Sequence, residues 1–325
     1  MSSSRQSKIA HHQIRNDENM SIQLNNSCIL NLDFTLCCGQ SFRWKKIGGW
    51  WYGIARDKVF KVRQVGGELQ FKGADKDFIM EYFGLYDDLP KILSQITKDP
   101  HVKKAVESFR GLRILRQDPW ECLISYICAT YKNIPAIKQM LFKLSKNFGE
   151  KRVFDGYEFY TFPEPAVLAK ASRADLAKCG LGYRAKYVLE TAKKTNSGDI
   201  SLEDLKNKSY TDARGELLSL LGVGLKVADC ALLFSLGKLE AFPVDVWVKR
   251  AILRYYADHF EREFVKRICL KRSLSKSEYE RLNFFGRSYF GKYAGYAQEY
   301  LYFFERTKTR LGLSPSKVGL PEHRL

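Results

Sequence analysis

The chain has 325 residues, and 54 Lys+Arg against 36 Asp+Glu leave a formal net charge of +18. With 45% hydrophobic and 28% charged residues, the composition supports a large buried core, excludes wholesale disorder and fibrous repeats, and at this length leads us to expect at least two lobes. The excess positive charge calls for a polyanionic partner, with nucleic acid, membrane surface and acidic protein all open at this point.

Residues 1–20 are polar, mixed in charge and aperiodic, so a flexible tail is expected, and nothing up to His12 resembles a signal peptide. The texture changes from Cys28. The stretch SFRWKKIGGWWYGIARDKVFKVRQVGGELQFKG alternates apolar and polar residues between turn signals at Gly48-Gly49, Arg56-Asp57 and Gly66-Gly67, the pattern of antiparallel strands joined by hairpins. Asp75 opens helical periodicity through Phe78, Ile79, Tyr82 and Phe83, and Ile92, Leu93 and Ile96 continue it after Pro90. Residues 21–115 are therefore expected to form a small antiparallel sheet with attached helices.

From Arg116 the pattern is helical almost to the end. Asp118-Pro119 precedes a helix beginning at Trp120, Pro135 suits a first turn, and Ser172 with Asp175 resembles a capping box. The second lobe, 116–310, is expected to be all helix, with a tail at 311–325. Eight Lys/Arg between Lys249 and Arg272 face three acids; such a run is ordinarily a solvated face unless a neighbouring segment can seat phosphate. No apolar run approaches the roughly 18 residues needed to cross a bilayer. The eight cysteines include no CxxC pair, which argues against zinc ribbons and iron–sulfur spacing and for a reducing compartment.

The segment able to seat phosphate is LLGVGLKVADCALLFSLG, Leu220 to Gly237. Leu217, Leu218 and Leu221 close one helix, Gly222-Val223-Gly224 allows a tight turn, and Val227, Ala228, Ala231 and Leu232 resume the 3.6-residue period. Such a hairpin brings backbone close to a ligand and leaves free N–H groups where the helix dipole favours an anion. Taken alone, the same residues equally describe a plain turn between two helices.

LLGVGLKVADC followed by FPVDVW resembles the helix–hairpin–helix superfamily of DNA base-excision glycosylases, and within it the 8-oxoguanine DNA glycosylases. CGQSFRW (Cys38 to Trp44), FRGLRILRQDPWECL (Phe109 to Leu123), CGLGYRAKYV (Cys179 to Val188) and YAGYAQEYLY (Tyr293 to Tyr302) agree in the same order, so the resemblance covers roughly residues 28 to 305. It implies an α+β fold, a TBP-like antiparallel-sheet lobe that helps recognise the damaged base, followed by an all-helical HhH-GPD domain. The partner it implies is duplex DNA containing 8-oxoguanine. A monomer is expected, with no membrane role, acting inside the cell with the DNA, in the nucleus or the nucleoid.

Cleaving a glycosidic bond needs a nucleophile at C1′ and negative charge beside an electron-poor sugar. Lys226 and Asp245, 19 residues apart, match the family's catalytic pair. An amine attacks only when deprotonated, so Lys226 is expected to need burial or a nearby cation. Asp245 precedes a helical pattern, so its plain role is an N-cap, and capping N–H groups are expected to keep it ionised. The resemblance implies a Schiff base on Lys226 followed by β-elimination, a bifunctional glycosylase and AP lyase without cofactor. Family hairpins can hold a monovalent cation on backbone carbonyls, here Leu218, Leu220 and Val223.

By the same resemblance the Gly39 carbonyl accepts from N7–H, the proton 8-oxoguanine has and guanine lacks. Gln298 reads the Watson–Crick edge, and Cys230 and Tyr302 sandwich the ring, the added hydroxyl of Tyr302 needing a partner. Tyr183 and Arg184 fill the gap in the duplex, and Gly222, Val223, Gly224, Trp247 and Asn133 lie on the DNA side. Plain readings stand beside these: a turn glycine for Gly39, helix packing for the others. Tyr131-Lys132-Asn133 and Ala136 depart from the eukaryotic pattern for the opposite base, Trp247 stands where a phosphate-contacting histidine is expected, and Leu221 replaces a hairpin proline. Two other readings are weighed. A glycosylase for alkylated bases is disfavoured by Lys226, and a non-catalytic DNA-binding protein would not explain Asp245 or CGQSFRW.

Overall fold

A computed structural model describes residues 20–25 and 28–310; the expected tails lie outside these, apart from Met20. Met20 belongs instead to a strand the sequence pattern did not disclose, β1 (Met20–Gln23), which pairs with β5. Helix α1 (Leu32–Cys37) follows, capped by the Asn31 side chain. Strands β2 (Lys45–Ile47), β3 (Trp50–Ala55), β4 (Lys58–Val65) and β5 (Glu68–Lys72) complete an antiparallel sheet in the order β1-β5-β4-β3-β2. The three expected hairpins are present, with positive φ at Gly48, Gly49, Arg56 and Gly66. The alternation works as expected: Phe60, Val62, Leu69 and Phe71 are fully buried against Phe78, Ile79, Tyr82 and Phe83, the first three of these lying on α2 (Lys76–Tyr82).

Helices α3 (Leu89–Ile96) and α4 (Pro100–Ser108) begin on the caps Asp88 and Asp99 with proline in the first turn. Their apolar faces enter the second, helical core rather than the sheet's. That core continues through α5 (Pro119–Ala129), capped by Asp118, and α6 (Ile134–Phe148), capped by Asn133. The second lobe is not wholly helical. A hairpin, β6 (Lys151–Phe154) and β7 (Tyr157–Tyr160), interrupts it about Asp155-Gly156, both with positive φ. Asp-Gly between two β-prone runs is the sequence signal for such a turn. The hairpin docks on the sheet, where the Tyr52 hydroxyl and Lys61 meet the Asp155 carboxylate.

Short helices α7 (Pro165–Ala169) and α8 (Arg173–Leu176) follow, the latter capped by Ser172. Then come α9 (Arg184–Ser197), α10 (Tyr210–Leu218), α11 (Leu225–Phe234), α12 (Val246–Tyr255), α13 (Arg262–Cys269), α14 (Lys276–Phe290) and α15 (Ala294–Arg310). All eight cysteines are free. Two devices join the lobes near Gly39. Arg43 pairs with Glu121 at 2.8 Å, a buried pair in which desolvation pushes the glutamate up to about 7 while Arg43 pulls it down. Gln40 is the other: its amide donates to the Thr35 and Arg113 carbonyls and accepts from Leu115 N–H, while Gln117 and Tyr126 donate to its own carbonyl.

Candidate active site

Helices α10 and α11 and the turn between them form the helix–hairpin–helix. Gly222 has φ +84 and no room for a Cβ, because the Tyr187 ring packs on its Cα. Gly224 opens α11 with no side-chain cap and open space around it. The first N–H groups of α11 are therefore left for a ligand, as an anion site requires. Of the three carbonyls named for a monovalent cation, Leu220's accepts Val223 N–H at 3.1 Å. Those of Leu218 and Val223 accept no backbone N–H outside the helices among the described residues.

Lys226, in the first turn of α11, is half-buried, and its Nζ makes no hydrogen bond or ion pair among the described residues. Its charge nonetheless acts on Asp245. The two are close enough to interact, without an ion pair between them. Asp245 caps α12, with Oδ1 accepting from Trp247 and Val248 N–H, both at 2.9 Å. The cap does not decide its charge as expected. Protein packs densely round the carboxyl, although part of the residue reaches solvent, and desolvation pushes its pKa above the usual range against the opposing pull of Lys226 and the capping N–H groups.

A residue without a sequence signal of its own connects these two. Asp229 is fully buried one turn after Lys226 and accepts from the Tyr210 hydroxyl (2.6 Å), the Tyr279 hydroxyl (2.7 Å), Arg214 (3.1 Å) and Asn283 (3.1 Å). The Tyr279 hydroxyl in turn accepts Val244 N–H at 3.2 Å, and Asn283 donates to the Phe242 carbonyl at 2.9 Å. Asp229 thus ties the lysine's helix to the segment that delivers Asp245.

Gly39 and Tyr302 also converge. Gly39 has φ +107, and no N–H among the described residues donates to its carbonyl. A Cβ there would stand 3.2 Å from the Tyr302 hydroxyl and 2.5 Å from Arg306 Nη1. Gln298, Tyr302 and Arg306 recur every four residues along α15 and share one face. The partner needed by the Tyr302 hydroxyl is Arg306, which donates to it at 2.8 Å. Gln298 is buried with its Oε1 unpartnered. Cys230 is buried, and it and Tyr302 both lie within electrostatic reach of Tyr126. Two surface clefts, one by Arg56, Arg116 and Leu236, the other by Phe260, Phe284 and Tyr289, contain none of these residues.

Residues 21–123 match the family model described as 8-oxoguanine DNA glycosylase, N-terminal domain, and residues 124–271 match that of the HhH-GPD superfamily base excision DNA repair protein. An N-glycosylase/DNA lyase of Arabidopsis thaliana is 32% identical over 292 residues, covering 85% of this chain and 77% of that protein. One from Saccharomyces cerevisiae is 32% identical over 320 residues, covering 87% and 84%. The structure of a Clostridium acetobutylicum 8-oxoguanine glycosylase/lyase, bound to DNA with cytosine opposite the lesion, superposes with a TM-score of 0.78 at 33% identity, over 90% of this chain and 99% of that one. The chain belongs to the family of 8-oxoguanine N-glycosylase/DNA lyases of base-excision repair.

Not every residue expected on the DNA side of this glycosylase is presented there. Tyr183 is 53% exposed. Arg184 is buried, its guanidinium donating to the Thr130 and Leu181 carbonyls, so in the free protein it pins the 130s loop to the start of α9 instead of facing a base. Asn133 is exposed, but its Oδ1 accepts Ala136 N–H as the cap of α6. Trp247 is half-buried, with the Arg250 guanidinium over its ring at 4.7 Å. Much of the basic run is used internally: Lys249 is buried and donates to the Ile268 and Lys271 carbonyls, Arg254 pairs with Glu305, and Arg267 and Lys271 pair with Glu278. No helix among the described residues is long and apolar enough to cross a membrane.

Sequence reading missed Gln40, Asp229, Glu299 and Arg306. Only Arg306 left a signal, the four-residue spacing from Gln298 and Tyr302. Glu299 is buried beside Cys38, with Oε1 unpartnered; desolvation pushes its carboxyl up to about 7, opposed by the Cys38 hydrogen bond and Arg306.

Proposed function

We propose that this glycosylase removes 8-oxoguanine from duplex DNA with Lys226 as nucleophile and Asp245 as the carboxylate facing the developing positive charge on the sugar. The observation that carries this is Lys226, without an ion pair among the described residues, interacting with Asp245, whose charge also reaches Tyr302, Glu299 and Arg306 on α15. Once deprotonated, the Nζ lone pair forms a bond to C1′ as the bond from C1′ to the base nitrogen breaks, its electrons leaving with the base, which takes up a proton. Opening of the sugar ring gives the Schiff base on Lys226, and loss of a C2′ proton then expels the 3′ phosphate. Raised by desolvation, Asp245 is also a stronger base than an exposed aspartate, which suits proton transfer at this point.

In this reading the extruded base enters between Cys230 and Tyr302, with Gly39 accepting from N7–H and the free Oε1 of Gln298 facing the Watson–Crick edge. Guanine would set an N7 lone pair against the Gly39 carbonyl, and an unmet buried acceptor is costly enough to select strongly. The hairpin Gly222-Val223-Gly224 grips a backbone phosphate, Trp247 lies over the strand near Asp245, and Tyr183 fills the vacated space, with Arg184 and Asn133 shaping the loop beneath. A monovalent cation on the Leu218 and Val223 carbonyls would reinforce the hairpin's hold on phosphate. The protein acts as a monomer where the DNA is, in the nucleus or nucleoid.

The test is borohydride trapping on a duplex containing 8-oxoguanine. Wild type forms a covalent protein–DNA adduct and Lys226→Gln forms none. Base release without any adduct would overturn the Schiff base, and release of alkylated bases alone would overturn the substrate.

A further inference from the structure

We propose that Arg306 is a binding residue for the extruded base, its guanidinium donating to a ring carbonyl oxygen of an oxidised purine held beside Gly39. The proposal rests on the pocket reading given above.

The side chain is only 4% exposed, and it is placed by two acceptors flanking the pocket. Nη2 donates to the Cys37 carbonyl at 2.8 Å, two residues before Gly39, and Nη1 donates to the Tyr302 hydroxyl at 2.8 Å. Gly39 is the residue it lies against: a Cβ there would stand 2.5 Å from Nη1. A guanidinium carries five N–H donors and does not deprotonate in proteins. Here Nε is buried without an acceptor among the described residues, and none of their carboxylates lies within ion-pairing distance, although Arg306 acts electrostatically on both Asp245 and Glu299. A buried cation with donors to spare is costly unless an acceptor reaches it.

The chemistry of the lesion supplies that acceptor. On the five-membered ring of 8-oxoguanine the N7–H donor sits next to the C8 carbonyl, whose oxygen is an acceptor. With the guanidinium packed against Gly39, the Gly39 carbonyl and Arg306 supply an acceptor and a donor, the complement of that edge. A hydrogen bond from a charged donor is among the stronger ones, and the oxygen it would bind is absent from guanine. Arg306 therefore adds to the selection made at Gly39 and plays no part in the sugar chemistry of Lys226.

The test separates base recognition from strand chemistry. Full-length wild type, Arg306→Gln and Arg306→Lys are compared in single-turnover release of 8-oxoguanine from a duplex, and in cleavage of the same duplex carrying an abasic site at that position. Arg306→Gln is expected to lower the ratio of base release to abasic cleavage about tenfold or more, and Arg306→Lys to recover part of it. A ratio equal to wild type in both variants overturns the proposal, whether the two rates fall together, as for a packing role, or both hold. If wild type cleaves abasic DNA but releases no 8-oxoguanine, the pocket reading fails and takes this inference with it.

Discussion

Removing the Asp229 carboxylate tests whether the site is held by one buried charge. Asp229 is fully buried and accepts from two hydroxyls, one guanidinium and one amide at 2.6 to 3.1 Å. Taking one partner from a buried ion pair costs about 3–5 kcal/mol. Arg214 keeps a second partner, Glu280, at 2.9 and 3.0 Å, so its charge is not orphaned and the lower end, about 3 kcal/mol, applies to Asp229→Ala. With a urea m-value of about 3 kcal/mol/M for a chain of this size, the midpoint falls by about 1 M. Asp229→Asn keeps the volume but turns an amide donor toward other donors, so it is expected to lose most of the same energy. Because Tyr279 and Asn283 also hold Val244 and Phe242, kcat for base release is expected to fall roughly tenfold or more with little change in KM. The assay is urea denaturation beside single-turnover kinetics. An Asn variant as stable and active as wild type would refute the reasoning, since it would mean that the carboxylate's charge is not what the four donors require.

Three further outcomes follow from the site and the hairpin. Gly222→Ala drives a methyl into the Tyr187 ring at φ +84 while Gly224→Ala meets open space, so duplex affinity and thermal stability should drop for the first and stability should hold within about 1 kcal/mol for the second; equal losses in thermal unfolding would contradict this. Glu299 has its folded-state pKa raised from 4.5 to about 7, so the protein loses stability as pH rises through that window. Glu299→Gln should therefore gain on the order of 3 kcal/mol over wild type at pH 8 and converge with it below about pH 4.5, which urea titrations at the two pH values would check. With Tyr131-Lys132-Asn133 and Ala136 departing from the eukaryotic pattern at the positions that the resemblance assigns to the opposite base, excision rates across the four opposite bases should favour cytosine less than in relatives with the eukaryotic asparagine run; equal or stronger discrimination would count against that.

The three hairpins of the sheet and the two helices around Gly222-Val223-Gly224 were legible because each rests on local chemistry, turn residues, hydrophobic period and a glycine pair, whereas the Lys226 to Asp245 spacing gained meaning only from the family resemblance. The hairpin at Asp155-Gly156 had the same kind of signal but is embedded in a helical stretch, and β1 has too few residues to show a period. The ends of the basic run illustrate the opposite failure. Lys249, Arg254, Arg267 and Lys271 look alike in sequence, yet their partners Ile268, Glu305 and Glu278 were not part of that pattern, so their use could not be read from charge counting.

By itself, then, the sequence disclosed a two-lobed DNA glycosylase and led to the proposal of a lysine nucleophile, since the motifs that carry the resemblance are contiguous stretches of chain. The net charge of +18 indicated a polyanion and no more. Tertiary structure alone decided which charges are free. It buried Asp229 and Glu299, sent Arg184 inward, left Lys226 without an ion pair among the described residues, and set Arg306 against Gly39 from 267 residues away in the chain. Desolvation and long-range pairing govern those outcomes, and both depend on which groups the fold brings within a few ångströms of one another.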